Sequence, residues 1–414
     1  MVAQPPVQSI HAEVGLLKQI WRNRACRYSG LVMLCAFAVV LGGYWVLPDS
    51  TPDVNGGNIQ LRKQGVNFTV PMLKVRKNVE QEHTSLWRSW WSGTPSSFLL
   101  EPYDSLKVAG DLVMILPFGS HRNQWKRFHL CDIVMPLYVG PLEAMSFPSS
   151  RPYMKEKNGY RVLLADGSDV FVSRIKLKEL LKSHIQTHRF LLGTDRAGRD
   201  LLSRLLFGAR ASLTIGLFAA LVSLLIGVLV GSVAGYFGGW QDVFLRWLMS
   251  VVWSVPGIML IIAISMALHH QGVFVSVIAV GLTMWVDVAR LVRGKVMSLK
   301  HSLFVEAARS IGLSDYKIVI VHILPNIGGE LIVMATVNFA AAILLEAGLS
   351  FLGMGVQPPT PSWGAMLMEG FGAIGTNNSL HLVLFPSLAI MLMVGAINVF
   401  GNGLRDVLDP KRIK

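Results

Sequence analysis

Charge is scarce in this chain. Only 15% of its 414 residues are Asp, Glu, Lys or Arg, against about 25% in an average soluble domain, while 52% are hydrophobic and the mean hydropathy is +0.48. That shortage excludes an ordinary soluble protein and points to a membrane protein carrying some soluble mass. Acidic residues are scarcer than basic ones, 25 against 38, for a net charge of +13. In a soluble protein such an excess would suggest nucleic acid. Here aromatic and basic residues do not interleave in a groove-like pattern, and cytoplasmic loops of membrane proteins accumulate Lys and Arg. The excess is therefore read as topological, and nucleic acid is not expected as a partner.

Cysteine is nearly missing, with Cys26, Cys35 and Cys131 alone. Only Cys131 falls in the expected external part, so that part has no intramolecular disulfide partner and must fold by its core. Catalytic signatures are missing too. There is no Gly-x-x-x-x-Gly-Lys-Ser/Thr phosphate loop, no His-Glu-x-x-His and no Gly-x-Ser-x-Gly. His269-His270, without a carboxylate or thiolate nearby, make a poor metal site. The chain is not expected to be an enzyme, nor to hold a cofactor of its own.

What is abundant is long apolar segments, each near the roughly 20 residues a membrane span needs. Six are read: Tyr28 to Pro48, Ala211 to Phe237, Trp247 to Leu268, Gly272 to about Leu291, Asn326 to about Gly348, and Leu382 to Leu404. The first follows a basic flank but is long and lacks a small-residue cleavage site, so it reads as a retained span. Pro256-Gly257 inside the third predicts a kink. Asp287 and Arg290 lie near the end of the fourth, and Glu330 and Glu346 near the two ends of the fifth.

Orientation follows from the short loops. Lys18, Arg22, Arg24 and Arg27 flank the first span; Arg293, Lys295, Lys300, Arg309 and Lys317 separate the fourth and fifth; Arg405, Lys411, Arg412 and Lys414 form the tail. The turn at His269-His270 and the segment 353–381 hold no Lys or Arg. Both termini and the loop 293–325 are expected in the cytoplasm. The expected plan is a cytoplasmic segment 1–27, a first span 28–48, an external insert 49–190, an interfacial amphipathic helix 191–210, a core 211–404 and a cytoplasmic tail 405–414.

In the insert, Leu112 to Leu116, Val162 to Leu164 and Val170 to Val172 read as strands between turn residues. Ile175 to Leu181 reads as a helix with Lys176, Lys178 and Lys182 on its polar side. The first part of the insert, Thr51 to Gln81, rich in Gly, Asn and Lys, reads as linker. The Trp87, Trp90, Trp91 cluster is compatible with a core, a membrane-interface anchor or a contact patch. At about 140 residues the insert can bury a core of its own.

The most informative stretch is Glu306-Ala307-Ala308-Arg309-Ser310-Ile311-Gly312, followed after nine residues by His322-Ile323-Leu324-Pro325. Small Ala307 and Ala308 permit close approach of a partner, Gly312 can take φ > 0 between two short helices, Ser314 suits an N-cap, and Pro325 suits the entry to a new helix. This stretch resembles the EAA loop of ABC-importer permeases. Three further segments, Leu192 to Leu213, Glu346 to Gly364 and Gly403 to Lys411, are similar to the C-type permease subunit of oligopeptide and dipeptide (and nickel) importers. The likeness is close over 190–414 and loose over 1–47; the insert departs from the family's shorter connection.

The resemblance implies an all-α polytopic protein of the bacterial inner membrane. It implies the six helices of the type I ABC importer permease fold, here with a mixed α/β insert between helices 1 and 2. It implies peptide transport by alternating access. The expected partners are a second homologous permease subunit, two ATPase subunits that bind ATP and Mg, an external solute-binding protein and the lipid bilayer. Glu306, Ala307, Ala308, Gly312, Leu324 and Pro325 become the ATPase-coupling residues; Pro256, Asp287 and Glu346 are candidate gate or hinge positions. Asp287 is expected to pair with Arg290 or Arg293. Transport of nickel or another small solute is the alternative within the family. A membrane-anchored sensor or enzyme acting through the insert, and an exporter, are less favoured, since neither calls for five further spans with an importer-type loop.

Overall fold

The computed structural model describes residues 13–79, 85–120, 124–142, 147 and 149–408. Lys411, Arg412 and Lys414 of the basic tail, and Gln81, lie outside the described residues. The chain divides into two compact units: one holds the chain up to Leu41, Gly208–Met368 and the chain from Leu384 on, the other Gly42–Phe207 and Glu369–Val383. The first helices are α1 (Glu13–Arg22) and α2 (Arg24–Gly42). Asn23 separates them: its Oδ1 accepts from Ala25 N at 2.9 Å, capping α2. With a 3-10 turn, Gly43–Trp45, α2 forms the span Arg24–Trp45.

The insert carries β1 (Phe68–Arg76), α3 (Leu86–Ser92), β2 (Phe98–Ala109), β3 (Leu112–Pro117), β4 (Lys126–His129), α4 (Leu130–Val134), β5 (Tyr153–Glu156), β6 (Gly159–Leu163), β7 (Asp169–Ser173), α5 (Arg174–His184) and β8 (Ile185–Phe190). Among the described residues two antiparallel sheets form, ordered β4-β3-β2-β1-β8 and β5-β6-β7. The expected strands at 112–116, 162–164 and 170–172 and the helix at 175–181 match β3, β6, β7 and α5, except that Leu164 falls just past the end of β6. The stretch 51–81 is corrected: it holds β1, paired on both sides. Its pattern is hidden by Pro71 and Lys74. Pro71 is tolerated because the β2 pairing starts only at Met72, leaving one partner strand at Pro71. Leu73, Val113, Ile115, Leu130, Ile133, Val162 and Leu177 are fully buried in one core, so the insert has a core of its own.

Cys131 lies in that core with no exposed surface, and burial pushes its thiol up to about 12. It reports opening of the insert and is silent in the closed state. Beside it, His129 Nδ1 accepts from Cys131 N at 3.3 Å and caps α4. The ring stacks on Tyr153 at 4.6 Å. Burial holds the imidazole below its ordinary value. The fold therefore prefers neutral His129. The stabilisation is complete above the unfolded-state pKa, near 6.5, and is lost as pH falls through the lower folded value. Maleimide labelling of Cys131 at a fixed temperature should expose a larger open fraction at pH 5.5 than at pH 7.5, after correction for thiolate fraction. His129→Asn should flatten that dependence. An unchanged pH dependence in the variant removes His129 as its cause.

The remaining helices are α6 (Leu201–Phe237), α7 (Gly239–Ser254), α8 (Gly257–Ala267), α9 (Val273–Leu299), α10 (Leu303–Ser310), α11 (Asp315–Lys317), a π-helix (Ile318–Ile323), α12 (Leu324–Asn326), α13 (Gly328–Phe351), α14 (Trp363–Phe371) and α15 (Leu380–Leu408). Among the described residues, five helices are long and apolar enough to cross a membrane, or six if the bent pair α7 and α8 counts as one span. Two expectations are corrected here. No separate interfacial helix occupies 191–210: residues 201–210 are the start of α6, whose 37 residues extend about 55 Å. Its cap is Asp200, whose Oδ2 accepts from Ser203 N at 2.8 Å. The third span is not kinked but broken, with α7 and α8 meeting at 94°. Pro256 drives Val255 into extended backbone, φ −89° and ψ 129°, which no helix can pass through.

Candidate functional site

The loop between α9 and α13 is a built structure. α10 ends in a Schellman turn: Gly312 N donates to Arg309 O at 3.0 Å and Leu313 N to Ala308 O at 3.2 Å. Gly312 sits at φ +78°, the left-handed region the turn requires. Ser314 stands at the N-cap of α11 in extended conformation but its side chain makes no cap bond. Pro325 enters the first turn of α12, as expected. Val305, Ala308, Ile318, Ile323 and Ile327 are buried with Val288, Val292 and Val296 of α9, and Leu324 packs partly buried on the same cluster.

The six coupling candidates thus separate by face. Glu306, Ala307 and Pro325 are exposed, whereas Ala308 faces inward. The small size of Ala308 serves this chain's own packing, a correction to its expected partner-facing role. The outward face also presents Leu303, Ile311 and Tyr316, which are 84%, 77% and 74% exposed. These bare apolar side chains share the exposed surface of the loop with Glu306, Arg309 and Lys317.

The loop is fastened by a residue that motif reading missed. Tyr236, near the end of α6, donates its hydroxyl to Asp315 Oδ1 at 2.6 Å and accepts from Arg309 Nη2 at 3.3 Å. Lys300 Nζ lies 5.5 Å from the centre of the same ring. α6 itself meets α9 along Gly227, Gly231 and Gly235. A Cβ on each would lie 2.4 Å from Val288 Cβ, 2.5 Å from Ala289 O and 2.8 Å from Arg293 O respectively. The four-residue spacing of these glycines is the sequence signal that would have found this contact.

The candidate gate positions scatter. Pro256 marks the break described above. Asp287 is exposed and the expected pairs are corrected: Arg293 binds Asp242, Nε to Oδ1 at 2.5 Å and Nη2 to Oδ2 at 2.8 Å, and Arg290 lies over Trp253 at 4.4 Å. Six residues at about 100° each place Arg293 about a third of a turn around α9 from Asp287. Glu346 is fully buried and points into the bundle. It accepts from Ser212 Oγ at 3.0 Å and Ser350 Oγ at 2.7 Å. Those hydroxyls in turn accept from Trp363 N and Val356 N, both at 3.2 Å. Glu346 is the centre of a hydrogen-bonded anchor for the segment 356–363.

A second buried polar group stands at the start of α6, within the stretch expected to be an amphipathic interfacial helix. Arg204, 2% exposed, binds Asp195 Oδ2 at 2.5 Å and Glu369 Oε2 at 2.6 Å. Arg199 binds the same two carboxylates at 2.6 and 3.2 Å.

Among known proteins, residues 227–414 match the family model described as the binding-protein-dependent transport system inner membrane component. The glutathione transport system permease protein GsiD of Pectobacterium atrosepticum is 44% identical over 220 residues, 53% of this chain and 72% of the relative. GsiD of Escherichia coli O6:K15:H31 is 45% identical over 219 residues, 53% and 71% of the two chains. Among solved structures, the MetNI methionine ABC transporter in an inward-facing conformation aligns with a TM-score of 0.42 at 16% identity, covering 50% of this chain and 97% of that one. With nearly three quarters of a relative matched at 44% identity, the chain belongs to the binding-protein-dependent transport system inner membrane components, the membrane-spanning permease subunits of ABC importers.

Proposed function

We propose that this permease subunit carries short peptides, glutathione among them, into the cytoplasm, and that the loop from Ser302 to Ile327 receives the stroke of a separate ATPase. The observation that carries this reading is the two-faced loop: Val305 and Ala308 lock it to α9 while Leu303, Glu306, Ile311 and Tyr316 stand bare. A push on such a knob moves α6 and α9 with it, because Tyr236 ties α10 and α11 to the end of α6. The lysines and arginines of the loop support a cytoplasmic position for it and for both termini. A second permease subunit completes the pathway, two ATPases bind ATP and Mg, and an external binding protein delivers the solute. ATPase closure then switches the bundle between inward-open and outward-open states. The glutathione permeases among its relatives support a peptide as the solute.

Co-purification of the cognate ATPase with Glu306→Lys and Gly312→Val tests the coupling. Nothing lies within 4 Å of a Cβ at Gly312, so Gly312→Val acts through the backbone alone, at a cost of about 1–3 kcal/mol for a non-glycine residue held at positive φ. Both variants should insert normally and recover several-fold less ATPase. Full recovery and full transport in both would remove the loop from the coupling path. Uptake of labelled glutathione by cells with and without the chain tests the solute separately.

A further inference from the structure

The tryptophan cluster of the insert is left unused by transport coupling. It lies on α3, seven residues long, capped by Ser85 Oγ accepting from Arg88 N at 3.3 Å. α3 packs against the turn Gly43–Trp45, the last residues of the first span. Trp90 makes that contact, its carbonyl and indole lying against Gly43. With Trp90 turned inward, helical spacing sends the other large side chains out. Leu86, Trp87 and Trp91 are 83%, 73% and 49% exposed, and Trp45 and Val46 at the end of the span are 75% and 51% exposed. The indoles support one another: the Trp87 and Trp90 rings are 4.8 Å apart, those of Trp90 and Trp91 5.6 Å.

We propose that this patch is a lipid-facing anchor by which the insert grips the outer headgroup layer. The partner is the phospholipid surface itself, and continuity with the span is what identifies it. Trp45 closes a 22-residue apolar segment, so its ring lies where hydrocarbon gives way to headgroups. A helix packed on that turn lies within about one helix diameter, 10–12 Å, of the same level. Indole suits that layer because its body is apolar and its N–H needs a polar partner. The only charge on α3 is Arg88, of the sign that anionic phospholipids attract. Ile175 of the insert differs in company. On α5, it is 79% exposed but has Lys176 and Lys178 beside it, which marks a face turned to water. The anchor gives the insert a grip on the membrane besides its covalent tether to the first span.

Site-directed spin labelling tests this on the full chain carrying Cys35→Ser, since Cys26 and Cys131 are buried. Trp87→Cys and Ile175→Cys are labelled with a nitroxide and reconstituted into liposomes of phosphatidylethanolamine and phosphatidylglycerol. Relaxation by oxygen, which concentrates in lipid, is compared with relaxation by a water-soluble nickel chelate. The label at 87 should favour oxygen several-fold more than the label at 175. Dominant relaxation by the nickel chelate at 87 means the patch faces water, and weak relaxation by both means protein covers it; either overturns the anchor. Leu86→Cys, the most exposed position of the patch, is the second site and should give the same result without touching a tryptophan.

Discussion

Arg204→Met should lower the thermal midpoint of the purified chain by about 6–12 °C, the shift expected for about 3 kcal/mol in a cooperative unit of this size. The reasoning is electrostatic. Arg204 is 2% exposed, and Asp195 beside it 4%, so water cannot solvate what the substitution leaves behind. Methionine fills the space of the stem but offers no donors. Asp195 and Glu369 would then face each other across a site that favours neither, and removing one partner of a buried pair costs about 3–5 kcal/mol. Arg199 remains on the same two carboxylates, which places the loss at the lower end. The order of effects is the sharper test. Arg199, 11% exposed, has water as an alternative, so Arg199→Met should cost clearly less. Adding Asp195→Asn and Glu369→Gln to Arg204→Met should restore part of the midpoint. Equal losses for Arg199→Met and Arg204→Met, or no gain on neutralising the carboxylates, would show that packing rather than charge accounts for Arg204.

That cluster also shows where reading the sequence succeeds and where it stops. Hydropathy located the spans because the bilayer imposes a length on each, and α2, α6, α9, α13 and α15 all overlap the apolar segments. Pro256 announced an interruption, since proline disfavours helical backbone at the residue before it; the size of the bend depends on neighbours the sequence does not name. The strand at 112–116 was visible because a short apolar run bounded by turn residues is a local signal, and β3 matches it. β1 was missed because Pro71 and Lys74 interrupt its apolar residues and only its position between β2 and β8 makes it a strand. Arg204 lies in the stretch 191–210, which was read as amphipathic by a logic that works for a surface helix. That logic fails where a charged residue meets two carboxylates, one of them 165 residues away. In the loop, Gly312 and Pro325 were legible since backbone geometry is local. The inward turn of Ala308 was not, because it is set by α9.

Gly231→Leu should be the most damaging single change in the helical unit. The ideal Cβ at this position would lie 2.5 Å from Ala289 O and 2.8 Å from Val292 Cβ. The first of those is backbone in the middle of α9, so no rotamer change can clear it; α6 and α9 must move apart. Overpacking a close contact costs about 1–3 kcal/mol even where side chains can yield. Here separation would also strip contacts at Gly227 and Gly235, which belong to the same stripe. In lipid, close van der Waals packing is a principal force between helices, so little else replaces it. The consequence reaches the loop. Val288, Val292 and Val296 of α9 hold Val305 and Ala308 from one side, and Tyr236 of α6 holds Asp315 and Arg309 from the other. Parting the two helices therefore loosens the knob at both fastenings. Gly231→Leu should reduce the chain recovered from membranes several-fold, lower its thermal midpoint and release ATPase on purification. Gly395→Leu is the matched control, with the same change in α15 and no atom within 4 Å of the added Cβ; it should leave yield and midpoint of the isolated chain close to the parent. If the two variants fall together, leucine is tolerated or rejected for reasons unrelated to the α6–α9 contact. If Gly231→Leu alone falls in yield but the surviving chain binds ATPase as the parent does, the stripe supports the bundle without setting the position of the loop.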